Sequence, residues 1–230
     1  MLFRSFTWDD HEVRNNYGPT DTTLVSTARA AWFDHHPVRR NPADPNRIWR
    51  SFRWGDTAEF FILDGRSERR PPSQYLSRAQ MDWLKSSLAA STATFKFIVN
   101  SKPIVSEGSD SWRPYASRRE LLDFILSPSR RVPGVVFLAG DVHYGAVAEV
   151  AVDSAGTPLH EIIMGPGANE PPGPVDNPVP NARRLVLTSA RNSIRNFTVV
   201  RANPATREVS VSFIGATGAP IAGSAYTFRV

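Results

Sequence analysis

Within eight positions the chain places Asp9, Asp10, His11, Glu12, Asn15 and Asn16, directly after a β-prone run over residues 2–8. So many hard oxygen ligands beside one imidazole are costly to pack and suit an ion or a reacting group. Two further clusters have the same character. "TFKFIVN" ends on Asn100, and "GVVFLAGDVH" ends on Asp141 and His143, two residues apart and so able to turn onto one centre. A fourth apolar run delivers Asp64 and Arg66. Plainer readings exist for each: Asp9 and Asp10 could cap a short helix, Asn100 could open a turn before Ser-Lys-Pro, and Asp-x-His could be a satisfied pair.

These clusters need elements that bring them together. Residues 2–8 read as a strand and 22–34 as a helix that stops before Pro37. "IWRSFRWGDTAEFFILDGR" reads as a hairpin around Trp54-Gly55-Asp56. Capping boxes at Ser77–Gln80 and Ser117–Glu120 open two helices, the second running through Leu126. Strand–helix–strand alternation predicts parallel pairing with helices outside, and ligands in such sheets gather beyond the strands' carboxyl ends. From Val147 onward only strands and turns are read, with a Pro- and Gly-rich loop over residues 165–180. His35 and His36 read as structural, and His160 as an outward strand residue.

Bulk composition narrows the function classes. At 230 residues and 41% hydrophobic content the chain can bury a real core. It has no cysteine, which excludes disulfides and thiolate chemistry. No apolar run approaches the roughly 18 residues of a membrane span. The net charge is +5, with 24 Arg against 3 Lys among its 27 basic residues. Scattered arginine fits a codon bias as well as an anionic ligand.

The segments "TWDDHEVRNNY", "AWFDHHPVR", "IWRSFRWGDTAEFFILDGRSERR", "QMDWLKSSLAASTATFKFIVNSKPI" and "VVFLAGDVHYGAV" together resemble the PhoD-like alkaline phosphatase family of calcineurin-type metallophosphoesterases. They run in the family's order and cover most of residues 2–150. The resemblance implies an α/β fold of two packed β-sheets flanked by helices (αββα), closed by antiparallel carboxyl-terminal strands. It implies one domain over 1–230, with a motif-bearing region at 1–150 and a β-rich tail at 151–230. It also implies hydrolysis of phosphate esters, small molecules or phosphodiester polymers, by a water activated between two metal ions. Iron and calcium are the ions the family suggests, with zinc and manganese as other candidates.

Residue by residue, the resemblance makes Asp10, Asn100, Asp141 and His143 metal ligands that converge on one point. It makes His11 the acid that protonates the leaving oxygen. It lets Arg66 hold substrate oxygens, against a plain salt bridge with Asp64. Family members are commonly exported, and no signal peptide is legible in these 230 residues. The family's first two metal motifs precede the Trp-Asp-Asp-His-Glu element and have no counterpart here. The expectation is therefore the carboxyl-terminal part of a longer enzyme, a fragment or a natural truncation. Alone, it is expected to be poorly soluble or oligomeric and inactive. The rival reading is a non-catalytic basic module binding nucleic acid or another polyanion, weakened by salt.

Overall fold

Parallel strands need crossovers, and two amphipathic helices supply them. The computed structural model describes residues 6–18, 21–70, 73–106, 111–129, 131–168, 179–180, 182–189 and 194–230. A hairpin of β1 (Arg50–Trp54) and β2 (Ala58–Ile62) comes first; it turns through Gly55, whose φ of +53° favours glycine. Helix α2 (Arg78–Ala90) then leads to β3 (Phe95–Val99), and α3 (Ala116–Leu126) leads to β4 (Val135–Ala139). Strands β5 (Ala146–Val152), β6 (Pro158–Ile163) and β7 (Arg184–Thr188) complete a seven-stranded sheet ordered β1-β2-β3-β4-β6-β5-β7. Strands β2, β3, β4 and β6 run parallel, and β1, β5 and β7 pair antiparallel. A second sheet is the antiparallel meander of β8 (Asn196–Asn203), β9 (Glu208–Gly215) and β10 (Pro220–Arg229).

The period of two along β4 explains the layering. Val135 and Phe137 pack with Leu84, Leu88, Leu121 and Ile125 of the two helices. Val136 and Leu138 point the other way, onto Val211, Phe213 and Phe228 of the small sheet. Both faces are covered, so the strand reads as a continuous apolar run. Each fully buried side chain of this size contributes about 1.5–3 kcal/mol.

Helix α1 (Thr22–His35) lies apart, its Trp32 and Phe33 packed with Trp8, Tyr17 and Ile48. His36 closes it structurally, with Nδ1 2.8 Å from the Trp32 carbonyl and its ring stacked on Trp32. Of the four αββα layers, the described residues show one helical layer, the large sheet and the small sheet. No described helix is long and apolar enough to cross a membrane.

Several sequence expectations need correction. Residues 1–5 lie outside the described residues, and residues 6–8 are not in a strand. That segment is instead pinned by Thr7 Oγ1 donating to the Leu63 carbonyl at 2.9 Å and by Arg50 donating to the Phe6 carbonyl at 2.7 Å. Helix α3 starts at Ala116 with Tyr115 at its N-cap, so Ser117 sits inside the first turn rather than capping it. Ser77 does cap α2, accepting from Gln80 N at 3.2 Å, but the Gln80 side chain turns inward to Asp64 instead of back to Ser77. Strand β7 was unread, and β6 joins the parallel set. His160 is not outward: it is buried and stacked on Phe228 at 3.8 Å. Residues 169–178 of the expected long loop lie outside the described residues.

Candidate active site

Three parallel strands end side by side, and their carboxyl ends form one wall of a cavity of about 1070 Å³. Phe60, Phe97 and Val99 form an apolar floor, and Val200 and Ala202 of the small sheet border it. The polar rim holds Asp9, Asp10, His11, Asn100, Asp141 and His143.

The first of these come from the segment before α1. After Asp10 the chain turns sharply, with Val13 N and Arg14 N both donating to the Asp10 carbonyl at 2.9 and 2.8 Å. The turn lets Asn16 N donate to Asp10 Oδ2 at 2.8 Å. Burial pushes the Asp10 carboxyl upward, but that amide and the charges of Arg66 and Lys102 outweigh it and hold the group below its ordinary range. Asp9 goes the other way. Its burial dominates Arg66 and Lys102, and the Asp141 charge adds to the rise, so its pKa climbs to about 6.

The end of β2 is shaped by α2. Gln80, fully buried, accepts from Asp64 N at 2.9 Å and donates to the Asp64 carbonyl at 3.1 Å. Asp64 then accepts from the backbone N–H of Arg66 and of Ser67. This turn sends the Arg66 side chain inward, where Nε donates to Asp9 Oδ1 at 2.7 Å and Nη2 lies 3.5 Å from Asp10 Oδ2. The Arg66 side chain is 1% accessible, and these ion pairs hold it beneath Asp9 and Asp10.

From β3 comes Asn100, whose Nδ2 donates to the Lys102 carbonyl at 2.8 Å and to Tyr75 Oη at 3.2 Å. From β4 come Asp141 and His143, both with left-handed backbone, φ +67° and +58°. Such residues store of the order of 1–3 kcal/mol each, and this strain gathers at sites. Lys102 Nζ reaches Asp141 Oδ2 at 2.8 Å.

One oxygen each of Asp9, Asp10 and Asp141 lies within 4.8 Å of the others. Asp10 and Asp141, both among the expected ligands, thus lie close together, and Asn100 shares their cavity wall. His143 lines the cavity but is outside that close group, and exposed His11 stands with Nε2 3.9 Å from Asp10 Oδ1. Sequence reasoning placed Asp9 in the acidic cluster but assigned it no ligand role, and passed over Lys102 within a turn. The Asp-Asp doublet was the available signal for the first.

A family model described as "PhoD-like phosphatase" matches residues 4–219. "Alkaline phosphatase D" of Bacillus subtilis (strain 168) is 32% identical over 190 residues, covering 64% of this chain and 32% of that protein. Among solved structures, "Structure of PhoD" superposes with a TM-score of 0.75 at 23% identity, over 97% of this chain and 51% of that one. A purple acid phosphatase, PPD1, from yellow lupin (Lupinus luteus) seeds gives 0.60 at 12% identity, over 97% and 38%. At those identities the two structures speak for the fold alone. The chain spans about a third of the curated relative and half of the PhoD structure, and the nucleic-acid alternative finds no support among these relatives. With the family match running through every segment that supplies the site, the chain belongs to the PhoD-like phosphatase family.

Proposed function

We propose that this cavity is a metal-dependent site for hydrolysing phosphate esters. The observation that carries the reading is the meeting of three carboxylates, Asp9, Asp10 and Asp141, at a cavity whose wall also carries Asn100 and an exposed imidazole. The donor set fits divalent or trivalent ions. It is oxygen-rich, and the buried Asn100 Oδ1 has no hydrogen-bond partner, an arrangement that leaves an acceptor available at the wall. Asp10, Asn100, Asp141 and His143 would hold the ions, joined by Asp9. Metal bound there would supply Lewis-acid polarisation of the phosphoryl group and a water activated at neutral pH.

The rest is the work of the chain's own groups. Arg66 fixes Asp9 and Asp10 from below and holds them together against their repulsion. His11, 81% accessible and beside Asp10, is placed to give a proton to the departing alkoxide. The apolar floor receives the organic part of the ester and sheds water from it.

Asp9 brings a third carboxylate to the cluster. The deciding experiment loads the chain with manganese, iron or calcium and measures hydrolysis of p-nitrophenyl phosphate and its bis ester. Chelator-sensitive turnover is expected, and Asp141→Asn should cost more than the roughly 10–100-fold typical of losing an outer-shell partner. Turnover indifferent to both chelator and Asp141→Asn would end this reading.

A further inference from the structure

The acidic cluster is compensated from within. Lys102 Nζ lies 2.8 Å from Asp141 Oδ2 and 3.9 Å from Asp9 Oδ2, so its ammonium stands between two of the three clustered carboxylates. The donation from Asn100 Nδ2 to the Lys102 carbonyl ties the lysine backbone to the same wall. Arg66 faces Asp9 and Asp10 from the buried side. When all five groups are ionised, two cationic side chains against three carboxylates leave one net negative charge.

The two cations are not equivalent. The Arg66 side chain is 1% accessible, and its planar fork is engaged by Asp9 and Asp10. The Lys102 side chain is 10% accessible and carries a point charge on a flexible four-carbon stem. An ion placed among oxygens this close would meet the ammonium at a few ångströms, where like charges in a partly buried site repel strongly. With Lys102 withdrawn, a divalent ion and Arg66 together balance the three carboxylates. With Lys102 in place the same ion leaves an uncompensated positive charge.

Resting on the metal-site reading above, we infer that the Lys102 ammonium occupies a cation position between Asp9 and Asp141, and that a metal ion must displace it to bind there. Lys102 is thus a built-in competitor that sets the affinity of the site for cations. It keeps the carboxylates together when no ion is bound and weakens every ion that arrives.

The test is calorimetric titration of Mn²⁺ into the 230-residue chain, Lys102→Met and Lys102→Arg. Lys102→Met keeps the apolar stem and is expected to bind Mn²⁺ about 10-fold more tightly or better, about 1.4 kcal/mol. Lys102→Arg keeps the charge and should bind no more tightly than the wild type. The rise in thermal midpoint on adding Mn²⁺ should be larger for Lys102→Met, because the stabilisation by a ligand grows with the logarithm of its affinity. Lys102→Gln, which leaves a polar partner for Asp141, gives the same comparison if the methionine chain does not fold. Mn²⁺ binding to wild type and to the neutral variants with equal affinity, or more weakly to the variants, overturns the role of Lys102 alone. No Mn²⁺ binding to any chain removes the metal site and this inference with it.

Discussion

Two adjacent residues of β6 should give the protein a stability profile in which opposite pH dependences hide one another. His160 faces the small sheet, stacked on Phe228. Burial pulls its pKa from 6.5 down to about 4. Glu161 faces the other side, 1% exposed, where its two carboxylate oxygens accept from Ile104 N at 2.7 Å and Val105 N at 3.2 Å. Burial outweighs those amides and the Arg118 charge and pushes its pKa from 4.5 up to about 7.

For Glu161 the folded value lies above the unfolded one. Its stabilisation is complete below pH 4.5 and is lost as pH rises through 7. For His160 the folded value is depressed, so its stabilisation is complete above pH 6.5 and is lost as pH falls through 4. Each displacement of about 2.5, at about 1.36 kcal/mol apiece, amounts to about 3 kcal/mol. Between pH 4.5 and 6.5 the two slopes oppose each other, and substitution of either should expose the other. Urea denaturation followed by the fluorescence of the six tryptophans, from pH 4 to 8.5, measures this. Glu161→Gln sets an amide N–H₂ against a backbone N–H and should lose about 1–3 kcal/mol in acid. Its deficit relative to wild type should then shrink by about 3 kcal/mol as pH rises from 4.5 to 8. His160→Leu should gain on wild type by about 3 kcal/mol as pH falls from 6.5 to 4. Taking differences from wild type removes Asp9, whose raised pKa tilts the profile in the same sense as Glu161. Difference curves that stay flat with pH would refute the reasoning.

His11→Ala should slow hydrolysis about 10²–10⁴-fold for esters with poor leaving groups, with little loss for p-nitrophenyl phosphate and unchanged metal content by elemental analysis. Equal losses on both kinds of substrate would contradict proton donation. At Gly65 an added methyl would sit 2.7 Å from Asn100 Oδ1 and from the ring of Tyr75, which is fully buried against Trp112. Gly65→Ala should therefore cost about 1–3 kcal/mol in urea denaturation and weaken Mn²⁺ binding by displacing Asn100.

The fold was legible where local pattern and tertiary role coincide. "GVVFLAGDVH" reads as a buried parallel strand because β4 is covered on both faces, and the hairpin reads from its Trp-Gly-Asp turn. Where the pattern names an element but not its partner, the sequence was silent. Period two shows that β6 is a strand, but not that it pairs parallel with β4. It also suggested an outward His160, a rule that fails once both faces of a strand are buried. Strand β7 opens beside Arg183 and Arg184, which look like solvent-exposed loop residues. Both are exposed, at 50% and 58%, yet pair with Glu149 on β5 and help hold the edge strand in register.

The site was half legible for a related reason. Strand ends announce their polar residues, as at Asn100 and Asp141, whereas Asp10 follows no described strand and was named through the family resemblance. Which side chain faces which depends on the turn beyond the strand. Asp9 and Asp10 are neighbours whose side chains would diverge on an extended strand. The turn closed on the Asp10 carbonyl, together with Arg66 from below, brings both to one place. The same arginine shows that burial as well as residue type decides what a side chain can do. At the rim it would bind a substrate anion, whereas buried it must be paired, and Asp9 and Asp10 are its partners. Three carboxylates this close repel one another unless cations stand among them. Arg66 serves the pair that the fold buries. The counter-charge for exposed Asp141 comes from Lys102, a point charge on a flexible stem whose ammonium also lies 3.9 Å from Asp9, so it is at this second cation that an arriving ion would compete.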